Sequence, residues 1–211
     1  MKWNDITLEV NMNIEKTIER LRKNGYIVSV FDTVAEAADY LNQSIDGKSV
    51  GFGGSVTLQD MGIYDMLAAH NTCHWHWPKS GSAVPGVIKA AAAAEIYLTS
   101  VNALSENGEM VNIDGTGNRV ASTLFGHEKV YFVVGTNKIA EDLPSAIDRA
   151  RNVASPLNAK RLGRKTPCAI KGDKCYDCDS PERICNGMVI HYKKMGSCAM
   201  EVVLVKESLG Y

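Results

Sequence analysis

The chain has 211 residues, 45% of them apolar and 22% charged, with a formal net charge of −1. Those proportions belong to a globular protein long enough to bury a core without covalent staples, and the lack of a basic stripe disfavours general nucleic-acid binding. The opening MKWNDITLEVNMNIEK lacks the apolar core of a secretory leader, and the apolar runs near AAAAEIYL and VYFVVG are too short for a membrane span, so the expected location is the cytoplasm.

Helical and strand-like segments alternate along the chain. NIEKTIERLRKNG sets Ile14, Ile18 and Leu21 on one face, with Gly25 as the stop. YIVSVF is strand-like. TVAEAADYLNQSI reads as a helix capped by Asp32 or Thr33, with Val34, Ala38, Leu41 and Ile45 facing inward. KSVGFGG is a short strand running into glycines, and LQDMGIYDMLAAH a helix weakened by Gly62. CHWHW alternates like a strand, PGVIKAAAAAEIYLTS reads as a helix feeding a strand, and GNRVASTLFG as a helix. KVYFVVG is a buried strand and LPSAIDRARNVA a helix. GMVIHYKK and AMEVVLVKE are closing strands with no helix between them, which predicts an antiparallel hairpin. The alternation predicts a doubly wound α/β fold with a mainly parallel sheet. One domain over residues 1–211 is expected, with a cysteine-rich insertion at 166–187 and a soft boundary where SPLNAKRLGRKTP loses its apolar pattern.

Four of the six cysteines, Cys168, Cys175, Cys178 and Cys185, fall in CAIKGDKCYDCDSPERIC with spacing C-x6-C-x2-C-x6-C. A reducing compartment disfavours disulfides. Four thiolates satisfy tetrahedral zinc and equally an iron–sulfur cluster of the 4Fe-4S type, and both stay open. Cys198 lies outside the pattern, in strand context.

Three loops carry candidate chemistry. In VGFGGSVT a strand ends in Gly53 and Gly54, and Ser55 and Thr57 open a helix. Glycines let backbone N–H groups approach an anion, although the segment is neither a Walker A nor a dinucleotide fingerprint; the bland alternative is a tight turn. The stretch VNALSENGEMVNIDGTGNRVAS gathers Asn102, Glu106, Asn112, Asp114, Gly115, Gly117, Asn118 and Arg119. Asp114 suits an acid or base, and Arg119 a carboxylate clamp; the alternative is Asx capping of a turn. In VVGTNKIAEDLP, Asn137 and Lys138 follow a buried strand and should sit on the same rim, Lys138 facing an anion or simply solvated. His74 and His76 of CHWHWP share one strand face, with Cys73 and Trp75 on the other. Two imidazoles are too few for a metal site, so a structural strand is favoured.

Taken together, VGFGGSVTLQDMG, YLTSVNALSENGEMVNIDGTGNRVAS, VVGTNKIAEDLPSAIDRARNVASPLNAKR and CYDCDSPERIC resemble the lactate-utilization (LUD) domain family from about Ile14 to Tyr211. The resemblance implies a fold like that of ribose-5-phosphate isomerase, glucosamine-6-phosphate deaminase and CoA transferases, with the loop at Gly53, Gly54 and Ser55 approaching phosphate or an anionic end of substrate. It also implies a link to bacterial oxidation of lactate to pyruvate alongside iron–sulfur partners. The small LUD subunit of lactate systems usually has no cysteine cluster, and here one is inserted before the last strands.

The resulting expectation is redox-linked metabolism of a small hydroxy or oxo acid. An iron–sulfur cluster and a redox partner protein would serve it, Arg119 and Lys138 would hold the carboxylate, and Asp114 would be the base. The alternatives are an isomerase- or transferase-type enzyme for a phosphorylated or CoA-linked ligand, with structural zinc and Asp114 or Glu106 moving a proton, or a binding module without turnover. A homodimer is the expected assembly.

Overall fold

The computed structural model describes residues 13–77 and 86–211. The amino-terminal stretch read as leaderless, and the first residue of the segment PGVIKAAAAAEIYLTS read as a helix feeding a strand, lie outside the described residues. Ten strands are described: β1 Ile27–Phe31, β2 Ser49–Phe52, β3 Thr72–Trp75, β4 Ile96–Thr99, β5 Ala103–Ser105, β6 Met110–Asp114, β7 Lys129–Gly135, β8 Ile139–Ala140, β9 Gly187–His191 and β10 Ala199–Val205. Six of them form an all-parallel central sheet in the order β1-β10-β7-β4-β2-β3. Helices cover both faces, so the fold is doubly wound α/β as expected.

Alternation along the central strands builds the two layers. In β10, Val203 and Val205 join one cluster with Phe52, Leu98, Tyr131 and Val133, while Met200, Val202 and Leu204 join the opposite cluster with Tyr97, Val130, Phe132 and Val134. The helix α1 (Ile14–Lys23) ends at Gly25, whose φ of 91° only glycine adopts without strain. Leu21 is fully buried beneath it. The helix α2 (Val34–Ser44) starts in a capping box, Thr33 with Glu36, and buries Ala37, Ala38 and Leu41. Gly62, at φ 68°, splits the next expected helix into α3 (Val56–Met61) and α4 (Ile63–Ala68). Then come α5 (Val87–Ala92), α6 (Asn118–Leu124) and α7 (Leu143–Arg149), which runs through a π-helical turn at Ala150–Ala154 into α8 (Ser155–Arg161). The expected soft boundary at 154–165 is therefore helix through Arg161. Pro156 follows directly on the π-helical turn, in the first turn of α8.

Two expectations are corrected. The closing strands form no hairpin: β9 pairs antiparallel with β6 in a second, four-stranded sheet ordered β8-β5-β6-β9, while β10 inserts between β1 and β7. The reason is patterning, because AMEVVLV is apolar toward both faces and suits only a central strand covered on both sides. The polar stretch after β4 is not all loop either. It holds the β5–β6 hairpin, turned at Gly108 with φ 86°.

The central strands β2, β4 and β7 lie side by side. Their carboxyl ends deliver Gly53–Thr57, Ser100–Asn102 and Thr136–Lys138 to one rim, where open α/β sheets place ligands.

Candidate functional site

A cavity of about 400 Å³ opens on that rim. Gly54, Ser55, Thr57, Asn102, Asp114, Gly115, Asn118, Arg119 and Lys138 all line it, so most of the residues singled out from three separate loops converge. Gly53 lies beneath the lining. Its amide donates to the Leu98 carbonyl at 2.9 Å and its own carbonyl accepts the Trp75 indole N–H at 3.1 Å. A Cβ there would stand 2.9 Å from Thr99 Oγ1 and 3.0 Å from Arg119 Cγ, so glycine is required by packing. Gly117 caps α6 at φ 87° without reaching the cavity lining. Asn137 ties down the carboxyl terminus, accepting the Leu209 N–H at 3.1 Å and donating to the Gly210 carbonyl at 3.2 Å.

Lys138 is not a solvated loop lysine: it is 2% exposed. Its ammonium donates to Thr57 Oγ1 at 2.7 Å and Ser100 Oγ at 2.9 Å. Burial first, and then the neighbouring Arg149 and Arg119 charges, push its pKa down to about 7, with Asp60 pulling the other way. Arg149 is itself pushed down to about 10 by burial, and it donates to the backbone carbonyls of Asn137 and Asn102.

Arg119 is an organiser of the site rather than an open clamp. Nη1 donates to the Ser100 carbonyl and Asn112 Oδ1, Nη2 donates to Asn102 Oδ1 and the Ile113 carbonyl, and Nε faces Asp114 Oδ2 at 3.6 Å. All five of its donors are directed at protein. Asp114 Oδ1 accepts the Thr116 and Gly117 N–H groups at 2.9 and 2.8 Å, the Asx turn weighed from the sequence, while its other oxygen pairs with Arg119. Glu106 belongs elsewhere. It accepts the Asn13 N–H and pairs with Lys16 at 3.0 Å, holding α1 to the β5–β6 turn.

Sequence reasoning missed several lining residues. Strand β3 ends at Trp75, and His76 and Trp77 bend into the cavity. The His76 Nδ1 is buried without a partner among the described residues, and burial lowers its pKa while Asp114 pulls it upward. Cys73 and Trp75 pack into the core on the other side, as the alternation predicted. Trp77 stacks on Trp75 with 5.8 Å between centroids, and the Arg161 guanidinium sits 4.2 Å over Trp77. Gly54 leaves room for that ring, since a Cβ would meet it at 3.0 Å. Helix α8 and the turn after it add Asn158, Arg161 and Arg164, and the cysteine segment adds Arg183. The helical spacing of Ser155, Asn158 and Arg161 was the available signal.

The cavity lining therefore carries Arg119, Lys138, Arg161, Arg164 and Arg183 against the single carboxylate of Asp114. Such an excess of cations around a concave site, from buried Lys138 to exposed Arg161 and Arg164, suits an anion.

The cysteine segment forms one wall. Asn186 bonds back to the Asp114 and Gly115 carbonyls, and Gly115 packs so tightly on Ile184 that a Cβ would lie 2.7 Å from its carbonyl oxygen. Arg183 braces the segment from within through the Cys178 and Cys185 carbonyls. Cys175 Sγ accepts the Asp177 N–H at 3.4 Å. Cys185 is near enough to Cys175 and Cys178 for their charges to interact, while burial raises its pKa. Cys168 lies in the short helix α9 (Pro167–Lys171), beside Thr166 Oγ1. Among the described residues no three His, Cys, Asp or Glu side chains converge as a metal-ligand set.

Fold and site define a doubly wound α/β protein with a cationic cavity at the carboxyl rim of a parallel sheet. The sequence matches the LUD domain family over residues 14–205, and the chain belongs to that family. A solved structure of a DUF162 family protein from Deinococcus radiodurans is similar, with a TM-score of 0.53 at 12% identity, covering 90% of this chain and 94% of that one; at that identity the likeness concerns the fold. Comparison with curated proteins gives no match. Among the described residues no helix is long and apolar enough to cross a membrane.

Proposed function

We propose that the cavity binds a small anionic metabolite of the hydroxy- or oxo-acid class. The observation that carries this reading is the imbalance of five cationic side chains against one carboxylate around about 400 Å³. That volume lies at the lower end of the range for metabolite pockets. Arg161, Arg164 and Arg183 supply the anion-binding wall. Arg164 has no side-chain hydrogen bond or ion pair among the described residues, so its guanidinium is the one available for bidentate contact. Arg119 acts through position, fixing Asn102, Asn112 and Asp114 rather than touching substrate. The hydroxyls of Ser55 and Ser100 and the side chain of Asn118 offer neutral partners for a substrate hydroxyl or carbonyl.

Calorimetric titration with lactate, pyruvate and a phosphorylated hydroxy acid tests the reading. Binding should weaken as salt rises and fall about tenfold or more in Arg164→Ala, the loss expected for one charge-assisted bidentate contact. Absence of binding by all three anions at low salt would refute it. Preference for the phosphorylated ligand would favour the isomerase- or transferase-type reading.

The four cysteines carry two further readings: a redox centre serving a partner protein, or a zinc brace. The Asp177 N–H on Cys175 Sγ and the Arg183 guanidinium on the Cys178 and Cys185 carbonyls hold these three cysteines in one braced segment. Elemental analysis after anaerobic purification separates them. Iron with acid-labile sulfide supports electron transfer, one zinc per chain supports a brace, and metal-free protein with full anion affinity removes both.

A further inference from the structure

The side chain left without a role by simple anion binding is Lys138. Its amine lies at the floor of the cavity, 2% exposed, between two hydroxyls. Among the described residues it has no carboxylate within ion-pair distance, although buried lysines ordinarily need one. The charged groups that bear on it are Arg149 and Arg119, both cationic, with Asp60 the one acid. His76 and Asp114 line the same cavity. A buried amine held among cations is the arrangement that keeps a lysine neutral and nucleophilic near neutral pH.

We infer that Lys138 forms a covalent imine with the carbonyl carbon of an oxo acid bound in this cavity. The inference rests on the anion-binding reading and assigns it a chemistry. The neutral Nζ donates its lone pair to the carbonyl carbon, the N–C bond forms and the carbonyl π bond opens to a carbinolamine. The carbinolamine hydroxyl then leaves, and the carbonyl oxygen departs as one water with the two protons that Nζ gave up. No oxidant or further reactant is required. Thr57 and Ser100 are placed to accept and return a proton at Nζ. The imidazole of His76, whose Nδ1 has no partner among the described residues, lines the same cavity and is the group that would carry the proton to the leaving hydroxyl.

The packing around Nζ explains why the amine stays in place. Thr57 is fixed from behind by its bond to the Leu209 carbonyl, and Gly210 packs on it so closely that a Cβ would meet Thr57 Oγ1 at 2.6 Å. Arg149 holds the backbone of Asn137, the residue before the lysine. The carboxyl-terminal segment is thus part of the support for Lys138, which ties the last residues of the chain to the chemistry.

The test is reductive trapping of the full-length wild-type protein. Protein at pH 7.5 is incubated with pyruvate and sodium cyanoborohydride, and the adduct is located by peptide mass spectrometry. Parallel samples contain lactate, which has no carbonyl, or formaldehyde, which has no carboxylate. Reversible binding of pyruvate and lactate is measured by calorimetry. The expected result is one carboxyethyl group per chain on Lys138, in about tenfold or greater excess over any surface lysine, because surface amines are almost fully protonated at that pH. Lactate should bind and give no adduct, and formaldehyde should methylate Lys138 ahead of the others. Pyruvate that binds reversibly and leaves Lys138 unmodified overturns the imine and spares the anion-binding reading. Formaldehyde labelling of Lys138 with no binding or trapping of pyruvate overturns both for oxo acids. Lys138→Arg, which forms no imine, should abolish the adduct. Mapping the wild-type protein decides the matter even if that variant fails to fold.

Discussion

Replacing Lys138 by Met should change not only the stability of the protein but its dependence on pH. The folded pKa of Lys138 is about 7 against an ordinary 10.5. Between those values the unfolded chain binds a proton that the folded chain does not, so folding becomes more favourable as pH rises through that window. Below about pH 7 both states are protonated and the cost of burying the charge is present in full, about 5 kcal/mol for a shift of this size. Integrating from pH 6 to pH 9 leaves a gain of roughly 2–3 kcal/mol for the wild type. Lys138→Met removes that gain and also removes the bonds to Thr57 and Ser100, at a cost of about 1–3 kcal/mol. Groups that titrate in both proteins cancel in the difference. Urea denaturation at pH 6, 7.5 and 9 should therefore show the variant gaining on the wild type at pH 6 and losing ground steadily toward pH 9. A stability difference that stays flat across this range would refute the claim that the amine is buried without a compensating charge.

Three other outcomes follow from the packing and the charge network. Gly51→Ala would place a Cβ 2.2 Å from the backbone oxygen of Ala91, which cannot rotate away; a loss of about 3 kcal/mol is expected at the upper end of overpacking costs, read as a lowered urea midpoint, and an unchanged midpoint would contradict it. Arg119→Met strands the buried Asn112 and leaves Asp114 unpaired, so about 3–5 kcal/mol should be lost; wild-type thermal stability in this variant would show that the network is not as drawn. Glu106→Gln removes a carboxylate whose pKa is lowered chiefly by the Asn13 N–H and then by Lys16. The wild type holds that contribution above the ordinary pKa of 4.5 and loses it as pH falls through the lower folded value, so the stability gap between variant and wild type should close on acidification, as followed by acid titration of the circular dichroism signal.

The legible part of this protein was its local patterning. Ile14, Ile18 and Leu21 on one helical face, the Thr33 cap and the apolar KVYFVVG all report interactions made within a few residues, and each appears in the structure where the sequence places it. The glycine loop at Gly53–Thr57, the polar stretch at Asn102–Arg119 and the Lys138 loop could also be assigned to one rim, because strand ends in a parallel sheet point the same way.

What the sequence did not determine depends on contacts between distant segments. The pairing of β9 with β6 and the placing of β10 between β1 and β7 were invisible, since strand partners are chosen by which faces can be buried together and not by order along the chain. The roles of three charged residues were likewise decided only by the tertiary structure. Arg119 is consumed by Asn102, Asn112 and two carbonyls, and Asp114 caps its own turn. Lys138 is buried against Thr57 and Ser100, and Thr57 is itself tied to Leu209 from the far end of the chain. A charged side chain becomes a clamp, a brace or a nucleophile according to its solvation and its neighbours' charges, and those are properties of the folded surroundings rather than of the residue type.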